Sequence, residues 1–200
     1  MKASLDLHDF SALNNRMELL FRLKEHFPGF KVSLFTVPND MKSDWGFYLL
    51  REKSLKIIRE NLDWMQLIPH GLTHAGSEMR NCDYNTFKLK VMPKIKQAFD
   101  RDGLPFVKGF CAPHWKWSQG VVKALDEAGW WGAIDKNQPN LISTKKVYRY
   151  SHNINEPLKG DVLKLHGHVY GTKNDLGDCF GNLLSLPTTM DWHFITDFIE

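Results

Sequence analysis

The chain has 200 residues, of which 42% are hydrophobic and 24% charged, and it carries a formal net charge of +3. This size and composition fit one globular domain over residues 1–200 with a substantial core, and they argue against a second independent domain. The basic residues are scattered without a long run of like charges, so nucleic-acid binding is not expected.

Membrane and export features are also missing from the sequence. No apolar stretch approaches the roughly 18 residues that a membrane span needs, and no apolar signal segment follows Met1. The three cysteines have wide, irregular spacings that give neither a disulfide framework nor a CxxC metal knuckle. We therefore expect a cytoplasmic protein with reduced thiols and no membrane partner.

Strand-like and helix-like stretches alternate along the chain. Hydrophobic periodicity predicts strands at residues 3–7, 30–37, 65–69, 106–111, 130–134, 147–150 and 162–165. It predicts helices at residues 13–27, 54–62, 84–99, 119–128 and 190–199. This alternation indicates an α/β fold with a mostly parallel sheet and helices outside, either open or closed into a barrel.

Polar residues stand where several of these strands end. Asp9 follows the first strand, His70 and His74 follow the third, and His166 follows the last. Folds of this kind build their sites at the carboxyl ends of parallel strands. We therefore expect these side chains to meet.

The histidine pair His70 and His74 is the first part of a predicted metal site. A pair at this spacing can arise by chance among nine histidines, and each could be a hydrogen-bonded residue at a strand-to-loop corner. Their position favours a site, because a strand ends just before His70 and Gly71 permits a tight turn that returns His74 to the same side.

Asp9 is the natural third ligand. Catalytic zinc commonly takes two histidines and a carboxylate and leaves one position for water, whose pKa then falls towards neutrality. A helix N-cap is the alternative role for Asp9, although Ser11 or Asn14 would serve it better, closer to the predicted helix.

Four motifs in this chain order resemble the polysaccharide deacetylase superfamily, also called the NodB-homology family. They are Leu7-His8-Asp9-Phe10, His70-Gly71-Leu72-Thr73-His74, Phe110-Cys111-Ala112-Pro113-His114-Trp115 and Leu163-Lys164-Leu165-His166. The resemblance implies a distorted (β/α)7-type barrel that binds Zn2+ or a similar divalent metal such as Co2+ or Ni2+. It also implies removal of acetyl groups from N-acetylated sugars or from related amides and esters.

The resemblance assigns roles residue by residue. It makes Asp9, His70 and His74 the metal ligands and His166 the general acid. Asp135, which follows the fifth predicted strand, stands where the family often places the acidic partner of the acid histidine. A turn-forming aspartate is an equally good interpretation of Asp135.

The sequence departs from the family pattern at two positions. His8 occupies the slot of the carboxylate base, and Cys111 replaces the arginine that normally orients that base. A histidine base has an ordinary pKa near 6.5 and needs no guanidinium beside it, so the two changes belong together. Asp6 shares a strand face with His8 and is the second candidate for the base.

The groove is expected to be built mainly by aromatic and imidazole side chains. In the family Pro113 and Trp115 would form one wall, and Trp117 would extend it unless it is a core residue. His114 and His168 are further candidates for substrate contact. The predicted substrate-binding residues are thus Pro113, His114, Trp115, Trp117 and His168.

The predicted reaction is hydrolysis of an acylated carbohydrate or related small molecule. A water activated by the metal, deprotonated by His8 or Asp6, attacks the acyl carbon while His166 protonates the leaving group. Two rivals remain: a catalytically inactive barrel that binds carbohydrate, and a metal-dependent hydrolase of phosphoesters or nucleobases. Phosphate chemistry generally needs a second metal ion or several cationic side chains around the phosphate, and the motifs do not supply them.

Overall fold

The computed structural model describes residues 1–38, 45–139, 146–171 and 173–200. Its strands are β1 (Lys2–Phe10), β2 (Val32–Thr36), β3 (Met65–Pro69), β4 (Gly109–Cys111), β5 (Trp131–Ile134), β6 (Val147–Arg149), β7 (His152–Asn153), β8 (Val162–His168) and β9 (Asp191–His193). Its α-helices are α1 (Met17–His26), α2 (Trp45–Arg59), α3 (Tyr84–Thr86), α4 (Met92–Arg101), α5 (Gln119–Ala128) and α6 (Phe180–Leu184). A π-helical turn over Phe87–Val91 links α3 to α4, and 3-10 turns cover Pro113–Trp115 and Ile195–Phe198.

The strands form two parallel sheets. The larger has the order β3-β2-β1-β8-β7, with β9 paired to the beginning of β1, and the smaller has the order β4-β5-β6. A parallel bridge between His70 and Cys111 connects the end of β3 to the end of β4. The predicted fold class is confirmed: an α/β protein with mostly parallel strands, surrounding helices and a distorted barrel.

The central strand β1 is buried on both faces. Its apolar face, which includes Leu5 and Leu7, belongs to the main core that packs under the helices. On the opposite face Ser4, Asp6 and His8 are also buried, at 0%, 1% and 2% exposure. Because strand residues alternate between faces, the apolar residues of β1 face the helices and its polar residues face the inside of the barrel.

The predicted helix at residues 190–199 is wrong. Asp191–His193 forms β9 beside the start of β1, and a 3-10 turn follows it. Backbone hydrogen bonds in both directions between Glu200 and Val147, of 2.9 and 3.0 Å, attach the segment to β6. Pairing with distant strands thus overrides the local apolar periodicity.

The other predicted elements exist with shifted ends. α2 begins earlier than predicted, and α1 begins only after Arg16, whose φ of 46° interrupts the helix. Gly129 ends α5 in the left-handed conformation that favours glycine. Among the described residues, none of the helices is long and apolar enough to span a membrane.

Candidate metal centre

A cavity of about 500 Å³ lies at the carboxyl ends of the strands. Its walls come from the ends of β1 and β3, the segment after β4, the end of β8 and the loop after β8. The described residues that line it are His8, Asp9, His70, His74, Ala112, His114, Trp115, His168, Tyr170, Gly171, Lys173 and Asn174.

A β-bulge at the end of β1 places two successive side chains in this cavity. Leu7 pairs with Leu34 and Phe10 with Thr36, so β1 has one residue more than β2 between these pairs. Asp9 has a φ of 61°, a left-handed conformation that aspartate tolerates better than most residues. Neighbours on a regular strand point to opposite faces, whereas here His8 and Asp9 both line the cavity.

The side chains of Asp9, His70 and His74 converge on one point. Asp9 Oδ1 lies 3.0 Å from His74 Nε2 and 3.3 Å from His70 Nε2. Although this oxygen is buried, it has no hydrogen-bond partner. Ligands of a tetrahedral zinc ion, with bonds of about 2.0–2.1 Å, lie about 3.3 Å apart. The three residues therefore fit a divalent metal ion.

Two further hydrogen bonds orient these ligands. His70 Nδ1 lies 3.1 Å from the carbonyl oxygen of Cys111, so a proton on Nδ1 leaves the Nε2 lone pair towards Asp9. His168 Nδ1 lies 2.8 Å from Asp9 Oδ2, the oxygen that faces away from the histidine pair. His70 and Asp9 are thus each oriented by a group outside the set of three.

Electrostatics favour the metal-binding forms of two of the three candidate ligands, Asp9 and His70. Burial raises the pKa of Asp9, but the hydrogen bond from His168 and the nitrogens of His70 and His74 outweigh it and hold that pKa well below its usual range. Burial lowers the pKa of His70, whereas the Asp9 carboxylate raises the pKa of His74. An ionised carboxylate and a neutral imidazole are the states that metal binding requires.

The turn that carries His74 is organised by Glu78, which the sequence analysis missed. Glu78 Oε1 accepts hydrogen bonds from the backbone N–H groups of Leu72, Thr73 and His74 at 2.7, 3.2 and 3.1 Å. A Cβ at Gly71, whose φ is +68°, would lie 2.2 Å from the same oxygen. Glycine is therefore required for both the turn and the close approach of the carboxylate.

Replacing Glu78 with alanine is expected to weaken zinc binding by about 10- to 100-fold, the usual cost of losing a group that orients a metal ligand. The physical reason is that three backbone N–H groups lose their acceptor and His74 loses its fixed position. Titration against a zinc-binding dye measures the effect, with exposed Glu60→Ala as the matched control. Unchanged zinc affinity in a folded Glu78→Ala protein would contradict this role.

A buried carboxylate holds His166. Asp6 and His166 are direct cross-strand partners on β1 and β8, and Asp6 Oδ1 accepts a hydrogen bond of 2.7 Å from His166 Nδ1. Tyr148 donates its hydroxyl to Asp6 Oδ2 at 3.0 Å. Burial raises the pKa of Asp6, but the charge and hydrogen bond of His166 outweigh it and lower that pKa to about 2. Asp6 is thus ionised, and each of its two carboxylate oxygens accepts a hydrogen bond.

Of the two roles considered for Asp135, the structure supports the turn-forming one, because its Oδ1 accepts a hydrogen bond of 2.8 Å from the Asn137 N–H, whereas His166 is held by Asp6. Asp135 also accepts a hydrogen bond from the Tyr150 hydroxyl. The Tyr150 ring stacks on His166, with ring centroids 4.3 Å apart. Strand order explains the difference, because Asp6 is on the strand beside His166 whereas Asp135 follows β5 in the other sheet.

His8 forms part of the cavity floor. Its ring lies 4.7 Å from that of His70, 4.8 Å from that of Trp115 and 4.6 Å from that of His166, measured between centroids. Burial lowers the pKa of His8 well below its usual value. His8 Nε2 is buried without a hydrogen-bond partner, 3.4 Å from Asp6 Oδ1. His8 is therefore a neutral imidazole beside the candidate ligands.

Backbone strain is concentrated around this cavity. The described non-glycine residues with positive φ are Asp9, Arg16, His74, His114 and Trp115, and four of these five line the cavity. A φ of 57° is especially unfavourable for a residue as bulky as Trp115. Strain of this kind persists only where the surrounding structure imposes it, and it is common at functional sites.

Three of the five predicted substrate-binding residues line the cavity: His114, Trp115 and His168. The other two do not. Pro113 is buried against the turn at Gly71, where a Cβ would lie 2.6 Å from Pro113 Cγ. Trp117 packs against the core residue Phe110, with ring centroids 5.8 Å apart. The structure therefore contradicts a groove-lining role for Pro113 and Trp117.

Some residues of the site were missed because they depend on contacts between distant segments, whereas Glu78 contacts the turn just before it in the chain. Tyr148 and Tyr150 alternate along and just beyond β6, and their spacing by two was a signal that they share a face. The loop after β8 carried no recognisable motif. The missed residues are Glu78, Tyr148, Tyr150, Tyr170, Gly171, Lys173 and Asn174.

Comparison with known proteins gives matches at the level of structure. No family model and no curated protein matches this sequence. A protein from Mycobacterium smegmatis assigned to the polysaccharide deacetylases is 9% identical, with a TM-score of 0.63 over 98% of this chain and 88% of that one. The Xyl-CE4 domain of a multidomain xylanase from the hindgut metagenome of Trinervitermes trinervoides is 12% identical, with a TM-score of 0.62 and the same coverage, 98% and 88%.

A third similar structure is a CE4 family pseudoenzyme from Bacillus anthracis. It is 12% identical, with a TM-score of 0.62 over 98% of this chain and 64% of that chain. At such identities a structural match establishes the fold alone. The chain thus has the fold of the polysaccharide deacetylases and CE4 esterases. The resemblance that the motifs indicated is therefore confirmed for the fold.

Proposed function

We propose that this protein is a metal-dependent hydrolase that removes an acyl group, most simply N-acetyl, from a carbohydrate or a related amide or ester. The observation that carries this proposal is the convergence of Asp9 Oδ1, His70 Nε2 and His74 Nε2 within 4.8 Å of one another on the cavity. Two histidines and a carboxylate form a common ligand set of hydrolytic zinc, and they also suit cobalt or nickel.

When bound, the metal would polarise the acyl carbonyl and lower the pKa of a water molecule. His8 is the residue best placed to accept the proton of that water, because it lines the cavity beside His70, with ring centroids 4.7 Å apart. Asp6 suits the base role less well, since hydrogen bonds from His166 and Tyr148 occupy its two oxygens. Asp6 is better suited to orienting His166.

His166 is the proposed general acid. The hydrogen bond from its Nδ1 to Asp6 fixes the ring and leaves Nε2 to exchange a proton with the leaving group. The ring is 2% exposed and lies behind His8 and Trp115, at 4.6 and 5.5 Å between centroids. The leaving amine or alcohol would therefore reach His166 between these two side chains.

A carbohydrate substrate is supported by the shape and chemistry of the cavity. Its volume of about 500 Å³ is in the range of small-molecule sites. Trp115 presents an aromatic ring at the cavity, and rings of this kind stack on sugars.

A second candidate function is carbohydrate binding without catalysis. It is favoured by one specific observation: His8 stands beside the candidate metal ligands in the slot where the family has a carboxylate base. One structure of the same fold is described as a pseudoenzyme. The chemistry of a neutral imidazole as a base favours the first proposal over this one.

Release of acetate distinguishes the two functions. The zinc-loaded protein would be incubated with N-acetylglucosamine, N-acetylated chito-oligosaccharides and acetylated xylan, and acetate measured by a coupled enzyme assay. We expect acetate from at least one substrate with zinc-loaded protein and none after chelator treatment. Saccharide binding without acetate release under all conditions would support the second candidate instead.

A further inference from the structure

The described residues of the loop after β8 form part of the cavity wall, and hydrogen bonds anchor this loop. Asp175 is 5% exposed, and its carboxylate accepts hydrogen bonds from the backbone N–H groups of Gly171 and Gly177 at 3.0 and 2.7 Å. The His168 N–H donates to the carbonyl oxygen of Asn174 at 2.8 Å. These contacts hold the ends of the segment from Tyr170 to Asn174, whose described residues line the cavity.

Tyr170 is an aromatic surface held in place at the cavity. The guanidinium of Arg16 lies over its ring at 4.1 Å from the centroid, and Arg16 also lies 3.7 Å from Asp175 Oδ1. Tyr170 nevertheless remains 46% exposed and is one of the residues that line the cavity. An exposed aromatic ring with a fixed orientation is suited to stacking against a sugar ring.

The same wall carries an unmatched positive charge. Among the described residues that line the cavity, Asp9 is the only carboxylate, and it belongs to the candidate metal ligands. Lys173 lines the cavity and has no ion pair within the described part of the chain. Asp175, the nearest acid in sequence, is occupied by the backbone N–H groups and by Arg16. A bound divalent metal would make the cavity more positive still.

We infer that the substrate is an anionic saccharide whose sugar ring stacks on Tyr170 and whose acidic group pairs with Lys173. This inference rests on the proposed function and adds the substrate class to it. The acidic group is a phosphate ester or a carboxylate, since both are recognised by a lysine ammonium and by backbone N–H groups.

Saccharides with and without an acidic group test the inference. The probes are N-acetylglucosamine, its 1-phosphate and 6-phosphate, and N-acetylmuramic acid, which carries a carboxylate. The readout is kcat/KM for acetate release from each anionic probe divided by kcat/KM for the neutral one. Wild type is expected to prefer at least one anionic probe by about 10-fold, the size of a charged hydrogen bond, and added salt should reduce the preference.

Lys173→Met removes the charge and keeps the length of the side chain, and it is expected to lower this ratio by about 10-fold. The matched control is Lys159→Met, because Lys159 is an exposed lysine before β8, at the opposite end of the strand from the cavity. A preference for the phosphates alone or for N-acetylmuramic acid alone identifies which acidic group the site recognises.

Equal kcat/KM for neutral and anionic probes in wild type, or an unchanged ratio in Lys173→Met, would overturn the inference while leaving the proposed hydrolase in place. If no probe is hydrolysed, the proposed hydrolysis fails for this substrate class. Calorimetric binding of the same probes to the zinc-loaded protein then decides the inference. Tighter binding of an anionic probe that is lost in Lys173→Met supports it, and equal or absent binding of all probes overturns it.

Discussion

Replacing His166 with alanine is expected to lower kcat on an N-acetylated saccharide by about 10²- to 10⁴-fold, the usual contribution of a general acid. His166 is bonded to the ionised Asp6 and is not one of the three converging ligands. The variant should therefore bind zinc as wild type does and keep its KM within a few-fold. Single-turnover acetate release and zinc content, measured on the same preparation, check both parts.

Two further variants make the His166 experiment specific. Asp6→Asn keeps the volume of the side chain but removes the charge that His166 faces, so it should lower kcat in the same direction and by a smaller factor. His168→Ala removes the imidazole that lines the cavity and contacts Asp9 Oδ2, and its main effect should be on zinc affinity. Loss of zinc from His166→Ala would contradict the assignment of His166 as the acid. A loss of kcat in His168→Ala as large as that in His166→Ala, measured at saturating zinc, would also contradict it.

Replacing Asp9 with alanine is expected to abolish zinc binding and to reduce acetate release to the background level. Asp9 supplies the single carboxylate of the candidate ligand set, and without it His70 and His74 are left as two imidazoles while His168 loses its acceptor. Competition with a chelator of known zinc affinity measures the loss, which should exceed the 10- to 100-fold cost of removing an orienting group.

Asp135→Ala is the matched control for Asp9→Ala. Asp135 is also a carboxylate after a strand of the barrel, but its partner is the Tyr150 hydroxyl and it is not among the converging ligands. It should therefore bind zinc with wild-type affinity. If Asp9→Ala bound zinc with the same wild-type affinity as Asp135→Ala, Asp9 would not be a ligand.

Sequence patterns were sufficient to predict that Asp9, His70 and His74 lie close together at the ends of their strands. Asp9, His70 and His74 each follow a strand, and in a parallel sheet the carboxyl ends of strands lie at one edge. Alternation along β1 also placed Asp6 and His8 on one face, where the structure has them both buried.

The partners of these residues depended on information that the local sequence does not carry. The pairing of β1 with β8 sets Asp6 opposite His166, so Asp6 rather than Asp135 holds the imidazole. The bulge that places both His8 and Asp9 on the cavity is a property of the pairing between β1 and β2. The segment Asp191–His193 became a strand because an edge of β1 was available to it.

The central claim is that Asp9, His70 and His74 hold one divalent metal ion. The most direct test is the metal content of purified wild type, measured by mass spectrometry after incubation with zinc and removal of free metal, beside His70→Ala. One metal ion per wild-type chain and none above background in His70→Ala is the predicted result. A well-folded wild type that takes up no zinc, cobalt or nickel would contradict the claim.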